Sequence, residues 1–378
     1  MCRGVLIVEE WAHRPLGHYP NRFMEVAEGF ASAGYRVETL TSCGWHQEGP
    51  DRRPTVPVRR YGRVAFLLLR ITNRLRPSND KARTAVGLLR AALLVRQVRR
   101  ATKRMGDPHA NVVVVGTAAP PEVLPLFVRS GTWITHVFLP EPWCGPRITA
   151  ALVRRAATSQ RECSFTIAVP TPEWADAYRR TGATVVCIPL AGIRSTSPIT
   201  DAAKKLGIPP ERRIALLFGA GHSEKDGETV VSSFRTLGDW QLLIVGRSMS
   251  RSEIDFVDWR VPPVVIDGFV DSETRSMAFE AADVVVLSFV AGYRRNSGTF
   301  MDAMAHGVPV VVSRDSVAAD LTERYGVGVT FTPGDSDSLQ QALDRVPANI
   351  EPAALAAIRA EWSNDAVARS HIAALNNA

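Results

Sequence analysis

Ser288-Phe-Val-Ala-Gly-Tyr-Arg-Arg-Asn-Ser-Gly-Thr-Phe-Met-Asp302-Ala-Met-Ala-His306-Gly-Val-Pro-Val-Val-Val-Ser313 decides how this chain reads. It follows Asp283-Val-Val-Val-Leu287, a short continuous apolar run of the kind that forms a buried strand. A helix is expected to start at Asn296-Ser297-Gly298 and to end at Gly307, before a second strand over Val308 to Val312. Ser297 is a good N-cap, and Gly298 lets a ligand approach the first turn, whose N–H groups lack intrahelical partners and sit at the positive end of the macrodipole. Such a helix start is an anion site before any side chain is counted. Asp302 stands more than one turn deeper, placed to accept hydrogen bonds from a ribose. A capped helix with a solvated Asp would look the same in isolation, so the neighbourhood decides.

Upstream, Ile214-Ala-Leu-Leu-Phe218 reads as a strand running into Gly219-Ala-Gly-His-Ser-Glu-Lys225-Asp-Gly, and Glu228 to Leu237 as an amphipathic helix. A strand over Gln241 to Val245 precedes Gly246. Then come Val264-Val-Ile-Asp-Gly268-Phe-Val270, a helix through Ala282 and the strand that enters the first motif. This order resembles the donor-binding C-terminal domain of the retaining GT-B glycosyltransferases, the group 1 enzymes that include glycogen synthase-like and sucrose synthase-like bacterial sugar-nucleotide transferases. The resemblance covers about residues 210 to 345.

The resemblance implies that Gly219 and Lys225 meet the donor diphosphate with the helix start Asn296, Ser297, Gly298 and Thr299. It implies also that the backbone of Gly268 to Val270 faces the nucleobase. The family's Glu-x7-Glu motif maps its second Glu onto Asp302, which keeps the carboxylate for the ribose with a shorter reach, and its first onto Arg294. A cation cannot accept from a sugar hydroxyl as Glu does, so Arg294 is expected to pair with donor phosphate or with an acidic sugar or acceptor. The family's usual Arg near the lysine is replaced by Ala220, and Arg294 or Arg295 is expected to supply the missing charge.

The N-terminal half alternates as a second α/β domain would. Strand Gly4 to Val8 leads to a loop, a helix from about Asn21 to Ser32 with Phe23, Val26, Ala27 and Phe30 on one face, and a strand over Tyr35 to Leu40. Further strands read at Asn111 to Val115, Trp133 to Leu139, Phe165 to Ala168 and Val185 to Ile188, an order that favours a parallel doubly wound sheet. The first strand is followed by Glu9-Glu-Trp-Ala-His-Arg-Pro-Leu-Gly17-His18 and not by Gly-x-Gly-x-x-Gly, which removes the main support for a dinucleotide oxidoreductase. By the resemblance this loop faces the cleft, with Gly17 at a family glycine and His18 beside it, a catalytic or acceptor contact unless it is an ordinary surface histidine. His136, Glu141 and Trp143, on or just past the strand Trp133 to Leu139, complete the expected acceptor side. A buried structural histidine and a core tryptophan are the alternatives.

The expected architecture is therefore α/β of GT-B type: two doubly wound Rossmann-like domains facing a central cleft, over residues 1–195 and 196–352. A helical segment over 353–378 is expected to cross back to the first domain, broken near Ser363-Asn-Asp365. A 46% hydrophobic and 22% charged composition indicates an ordered soluble chain. No apolar run approaches a membrane span and no signal peptide is read, so a cytoplasmic, bacterial enzyme is expected. The five cysteines show no Cys-x-x-Cys pair, so neither zinc nor a disulfide framework is suggested.

Residues 52 to 104 hold 16 Lys or Arg against Asp80 alone, a local +15. The whole chain is +7, so everything else carries −8. Ala85 to Arg104 reads as a helix with Val86, Leu89, Leu93 and Val98 near one side and Arg90, Arg96, Arg99, Arg100, Lys103 and Arg104 elsewhere. Three readings stay open: peripheral contact with an anionic membrane, recruitment of an acidic soluble acceptor, or an ordinary solvated face. No nucleic acid partner is expected, since no recognition element accompanies the charge. The function implied is transfer of a sugar, a hexose by type, from a nucleoside diphosphate donor to a hydroxyl of an envelope, lipid-linked or secondary-metabolite acceptor. The nucleotide sugar is the co-substrate, with no resident cofactor and no metal. A sugar-nucleotide epimerase of the same fold and a non-catalytic nucleotide-sugar binder are the alternatives.

Overall fold

The computed structural model describes residues 4–10, 19–41, 58–61, 65, 67–68, 71–72, 80–107, 109–117, 119–128, 130–137, 142, 146–159, 163–189, 193, 196, 198–209, 211–220, 224–247, 258–293 and 297–377. The chain divides into two compact units, Met1–Gly192 with Asn364–Ala378, and Ile193–Ser363.

In the first unit the strands are β1 (Gly4–Glu9), β2 (Arg36–Thr41), β3 (Val58–Arg60), β4 (Asn111–Gly116), β5 (Gly131–His136), β6 (Cys163–Val169) and β7 (Thr184–Cys187). They form one sheet in the order β3-β2-β1-β4-β5-β6-β7, with every pairing parallel. Its helices are α1 (Tyr19–Ser32), α2 (Asp80–Met105), α3 (Pro146–Ser159), α4 (Pro172–Arg179) and, at the chain's end, Asn364–Asn376. Strand β1 shows why both faces must be covered. Leu6 and Val8 enter a core with Ala91, Leu94, Val95 and Val98 of α2, while Val5 and Ile7 enter another with Phe23, Ala27 and Phe30 of α1 and Val367 of the last helix. Unbroken apolar runs such as Val112 to Val115 are the mark of strands buried on both sides.

The second unit repeats the plan. After the short helix α5 (Ala202–Lys205) come β8 (Arg213–Ala220), α6 (Gly227–Arg235), β9 (Trp240–Arg247), β10 (Val264–Asp267), α7 (Ser272–Ala281), β11 (Val284–Leu287), α8 (Gly298–His306), β12 (Val310–Ser313), α9 (Val317–Tyr325), β13 (Gly328–Phe331), α10 (Ser336–Arg345) and α11 (Pro352–Trp362). The sheet order is β10-β9-β8-β11-β12-β13, again parallel throughout. In both sheets the order reverses beside the first strand of the unit, between β1 and β4 and between β8 and β11. Doubly wound folds place ligands at such a reversal, off the carboxyl ends of the strands. Helices α6, α7, α8, α9 and α10 each begin with a side chain that accepts an N–H of their own first turn: Asp226, Asp271, Ser297, Ser316 and Asp335.

Three expectations need correction. The tail does not act as one segment: α11 belongs to the second unit, where the Arg359 guanidinium donates to the carbonyls of Met304 and Ala305, and only the helix after Ser363, here α12, belongs to the first. The second unit begins at Ile193, whose N–H donates to the Trp362 carbonyl at 2.6 Å, three residues before the expected boundary. The faces of α2 are also turned. Leu89 is 45% exposed while Arg90 is 8% exposed, its Nη2 donating to the Thr72 carbonyl at 2.7 Å. Among the described residues no helix is long and apolar enough to cross a membrane.

Candidate functional site

Gly219 is the next-to-last residue of β8, and its φ of +115° is a conformation that side-chain-bearing residues rarely adopt. A Cβ there would stand 2.9 Å from Lys225 Nζ and 3.7 Å from Thr299 Oγ1. The ammonium and the first turn of α8 thus converge on one glycine. Gly246, its register partner at the end of β9, has φ +98°, and a Cβ on it would lie 2.7 Å from the Gly219 carbonyl oxygen. The next-to-last residues of two adjacent strands are thus glycines, which lets the two backbones pack closely beside Lys225 and the start of α8.

Lys225 is held, not free to swing. Its segment forms an antiparallel bridge with Phe289, in which Asp226 N–H donates to the Ser288 carbonyl at 3.2 Å and Val290 N–H to the Glu224 carbonyl at 3.0 Å. Phe289 N–H in turn donates to Ser313 Oγ at 2.8 Å, so the loop after β11 is tied to β12 and carries Lys225 with it. The ammonium donates to the Phe218 carbonyl at 2.9 Å. Burial lowers its pKa from the usual lysine value to about 8, and among the described residues it makes no ion pair with a carboxylate. A shift of that size is about 3 kcal/mol against the charged form, the cost an anion bound beside it would offset.

Helix α8 supplies the rest of the positive end. Ser297, 9% exposed, caps it by accepting from Phe300 N–H at 3.3 Å, and Gly307 closes it with φ +73°. The N–H groups of Gly298 and Thr299 fall in the first turn, where the helix offers no acceptor. Two strand spacings from β8, about 10 Å, β10 delivers Gly268, Phe269 and Val270. Gly268 N–H donates to the Gly246 carbonyl at 3.1 Å, and the exposed Phe269 ring lies under Arg247, whose guanidinium carbon is 4.6 Å from its centroid.

Asp302 is buried on α8 and forms an ion pair with Arg275 of α7, whose guanidinium carbon also lies 5.9 Å from the Phe218 ring centroid. Sequence reasoning does not find Arg275, because one arginine in a helix carries no signal and only the packing of α7 against α8 brings it to Asp302. The Ser313–Phe289 link is hidden for the same reason.

The residues expected on the acceptor side fare differently. His136 is 2% exposed inside the first unit, with its Nε2 2.6 Å from Nε2 of His371 on α12. His371 Nδ1 donates to the Val367 carbonyl, so its Nε2 accepts and His136 Nε2 donates. This is a packing contact of α12 on β5, which gives His136 a structural part. Gly17, His18, Glu141, Trp143, Arg294, Arg295 and Asn296 lie outside the described residues.

At the reversal of the first sheet the side chains are carboxyl groups instead of an ammonium. Glu9 and Glu10 follow one another at the end of β1, and both are buried. Tyr61 Oη donates to Glu10 Oε1 at 2.7 Å and Thr117 Oγ1 to Oε2 at 2.6 Å, and a side chain at Gly116 would overlap the Glu9 carboxylate. Burial first, then the Glu10 charge, hold the Tyr61 phenol well above its usual range.

Residues 213–349, which hold Gly219, Lys225, Asp302 and all of α8, match the family model of glycosyl transferases group 1. An uncharacterized glycosyltransferase of Methanocaldococcus jannaschii is 26% identical over 149 residues, 38% of this chain, and the chain spans about 38% of that relative's length. Solved structures match along the whole chain: sucrose-phosphate synthase from Thermosynechococcus elongatus (15% identity, 99% of this chain and 98% of that one, TM-score 0.68) and a glycosyltransferase from Rickettsia africae (13%, 100% and 98%, TM-score 0.70). HepE of Anabaena in complex with UDP-glucose matches too (14% identity, 99% and 100%, TM-score 0.65). The chain has the fold of these enzymes, two parallel Rossmann-like sheets of GT-B type.

Proposed function

We propose that the protein is a retaining glycosyltransferase that moves a hexosyl group from a nucleoside diphosphate sugar to an acceptor hydroxyl. One observation carries this reading: the buried Lys225 ammonium and the start of α8 meet at Gly219, at the reversal of the second sheet, inside the span that matches the group 1 family. A diphosphate seated there gains the ammonium, the first-turn N–H groups and the helix dipole together. The base would then reach Gly268 to Val270, and the ribose the Asp302–Arg275 pair.

In the reaction the bond between the anomeric carbon and the diphosphate oxygen breaks while a bond to the acceptor oxygen forms on the same face. The acceptor proton passes to the departing phosphate. No side-chain nucleophile and no metal is needed in this scheme, because Lys225 and the α8 start stabilise the charge that develops on the leaving oxygen. Anabaena HepE was solved with UDP-glucose bound, which makes that nucleotide sugar the first donor to try.

Incubation with a panel of radiolabelled nucleotide sugars tests the reading. Slow release of free sugar from one donor is the expected result. A folded protein that neither hydrolyses nor binds any of them contradicts it.

A further inference from the structure

Helix α2 is 26 residues long and carries no acidic residue from Lys81 to Arg104. Its inner face is filled by Ala91, Leu94, Val95 and Val98, so the charges concentrate outside. Positions 89, 92, 96, 99, 100 and 103 follow helical spacing along one outer stripe. Leu89 lies at one end of it, and Arg96, Arg99, Arg100 and Lys103, all exposed, at the other.

The cationic end is concave. Arg96, Arg99, Arg100 and Lys103 line a hollow of about 470 Å³ whose apolar wall includes Leu126 and Phe127. Arg99 Nη2 donates to the Phe127 carbonyl at 2.6 Å and fixes that wall to the helix. The apolar end is extended by neighbours. Six large apolar side chains are strongly exposed among the described residues, and four of them, Leu67 (57%), Leu68 (38%), Ile71 (51%) and Leu89 (45%), fall between residues 65 and 90. The hydrogen bond from Arg90 to Thr72 holds the residue after Ile71 beside the residue after Leu89.

Exposed leucines next to a row of cations fit one kind of partner better than others. A soluble polyanion would use the charge and leave the apolar side chains in water, whereas an anionic bilayer uses both, phosphates at the headgroup level and acyl chains below it. We propose that the first unit docks peripherally on an anionic membrane surface through α2. The hollow would take lipid phosphates, with Leu67, Leu68, Ile71 and Leu89 entering the acyl boundary. This goes beyond the sugar-transfer reading and does not depend on it, since vesicle binding needs no donor.

Sedimentation of the full chain with vesicles of phosphatidylcholine, with and without phosphatidylglycerol, is the test. The wild type is expected to bind only the anionic vesicles and to bind them less as salt rises. Changing Arg96, Arg100 and Lys103 together to Gln, with Arg99 kept to hold Phe127, should weaken binding about 100-fold, three charges acting near the surface. Changing Leu67, Leu68 and Ile71 to Ser should weaken it at high salt as well as at low. Circular dichroism of both variants checks that they are folded. Excess soluble glycerol phosphate should leave vesicle binding nearly unchanged; full competition would assign the hollow to a free phosphate compound and overturn the membrane proposal. Absence of vesicle binding, or equal binding by the triple Gln variant, would overturn it too.

Discussion

The two sheets reverse order in the same way, yet the ends of β1 and β8 present different chemistry. Near the end of β8 lies a glycine, and beside it, among the described residues, a desolvated ammonium next to a helix N-terminus. At the end of β1 stand two buried glutamates, with Tyr61 and Thr117 donating to one of them. The first place offers an anion a cation and a helix start, whereas the second offers it buried carboxyl groups. Topology offers two equivalent crevices, and a handful of side chains makes them chemically different; on the proposed function the diphosphate takes the one at β8.

The comparison breaks most sharply at Lys225. Lys225→Ala should lower turnover by about two orders of magnitude or more with the fold intact, the scale of removing one such electrostatic contact. Near-normal turnover by a folded variant would take Lys225 out of the site. Asp302→Ala comes next, with nucleoside diphosphate affinity falling by about 1 to 3 kcal/mol in calorimetry. It should also lower the melting temperature, because Arg275 is left without its carboxylate, whereas Arg275→Gln should lower stability and cost less affinity. Unchanged affinity in Asp302→Ala would leave the pair a purely structural one.

Gly219→Ala forces a Cβ against Lys225 Nζ in a backbone conformation that Ala resists. Strain there is on the order of 1 to 3 kcal/mol, to be seen in denaturant unfolding together with weaker diphosphate binding. The smallest effect is expected on the other side of the comparison. Glu10→Gln should leave diphosphate affinity where it was while reducing stability through its bonds to Tyr61 and Thr117. A large change in affinity would mean that the β1 crevice shares in donor binding.

Much of this is legible in the sequence, and the parts that are not have a common cause. Val-rich runs such as Val284 to Leu287 announce buried parallel strands, and Ser297, Gly298 and Gly307 mark a helix at both ends, because these signals are local. Strand β3 is three residues, Val58-Arg59-Arg60, with Arg59 paired to Glu38 of β2, and one valine before two arginines is too short a pattern to advertise it. Arg275 meets Asp302 and His371 meets His136 across 27 and 235 residues, relations that no short window along the chain contains. On α2 the periodicity is visible but its phase is not, since Arg90 reaches the Thr72 carbonyl and Leu89 is left outside.

The central claim is that a protonated Lys225 binds the donor diphosphate, and its pKa of about 8 in the ligand-free protein makes this directly measurable. The depressed value means that the charged form is costly in the folded state below pH 8. That destabilisation is relieved as pH rises from 8 toward the unfolded lysine value, while anion binding runs the other way and is lost over the same window. Calorimetric titration of UDP at about pH 7 and about pH 9.5 should therefore show affinity falling about tenfold or more in the wild type. Lys225→Ala should bind weakly at both pH values, with little change between them. Wild-type affinity that is the same at both, or a Lys225→Ala variant that retains the wild-type pH profile, would contradict the account.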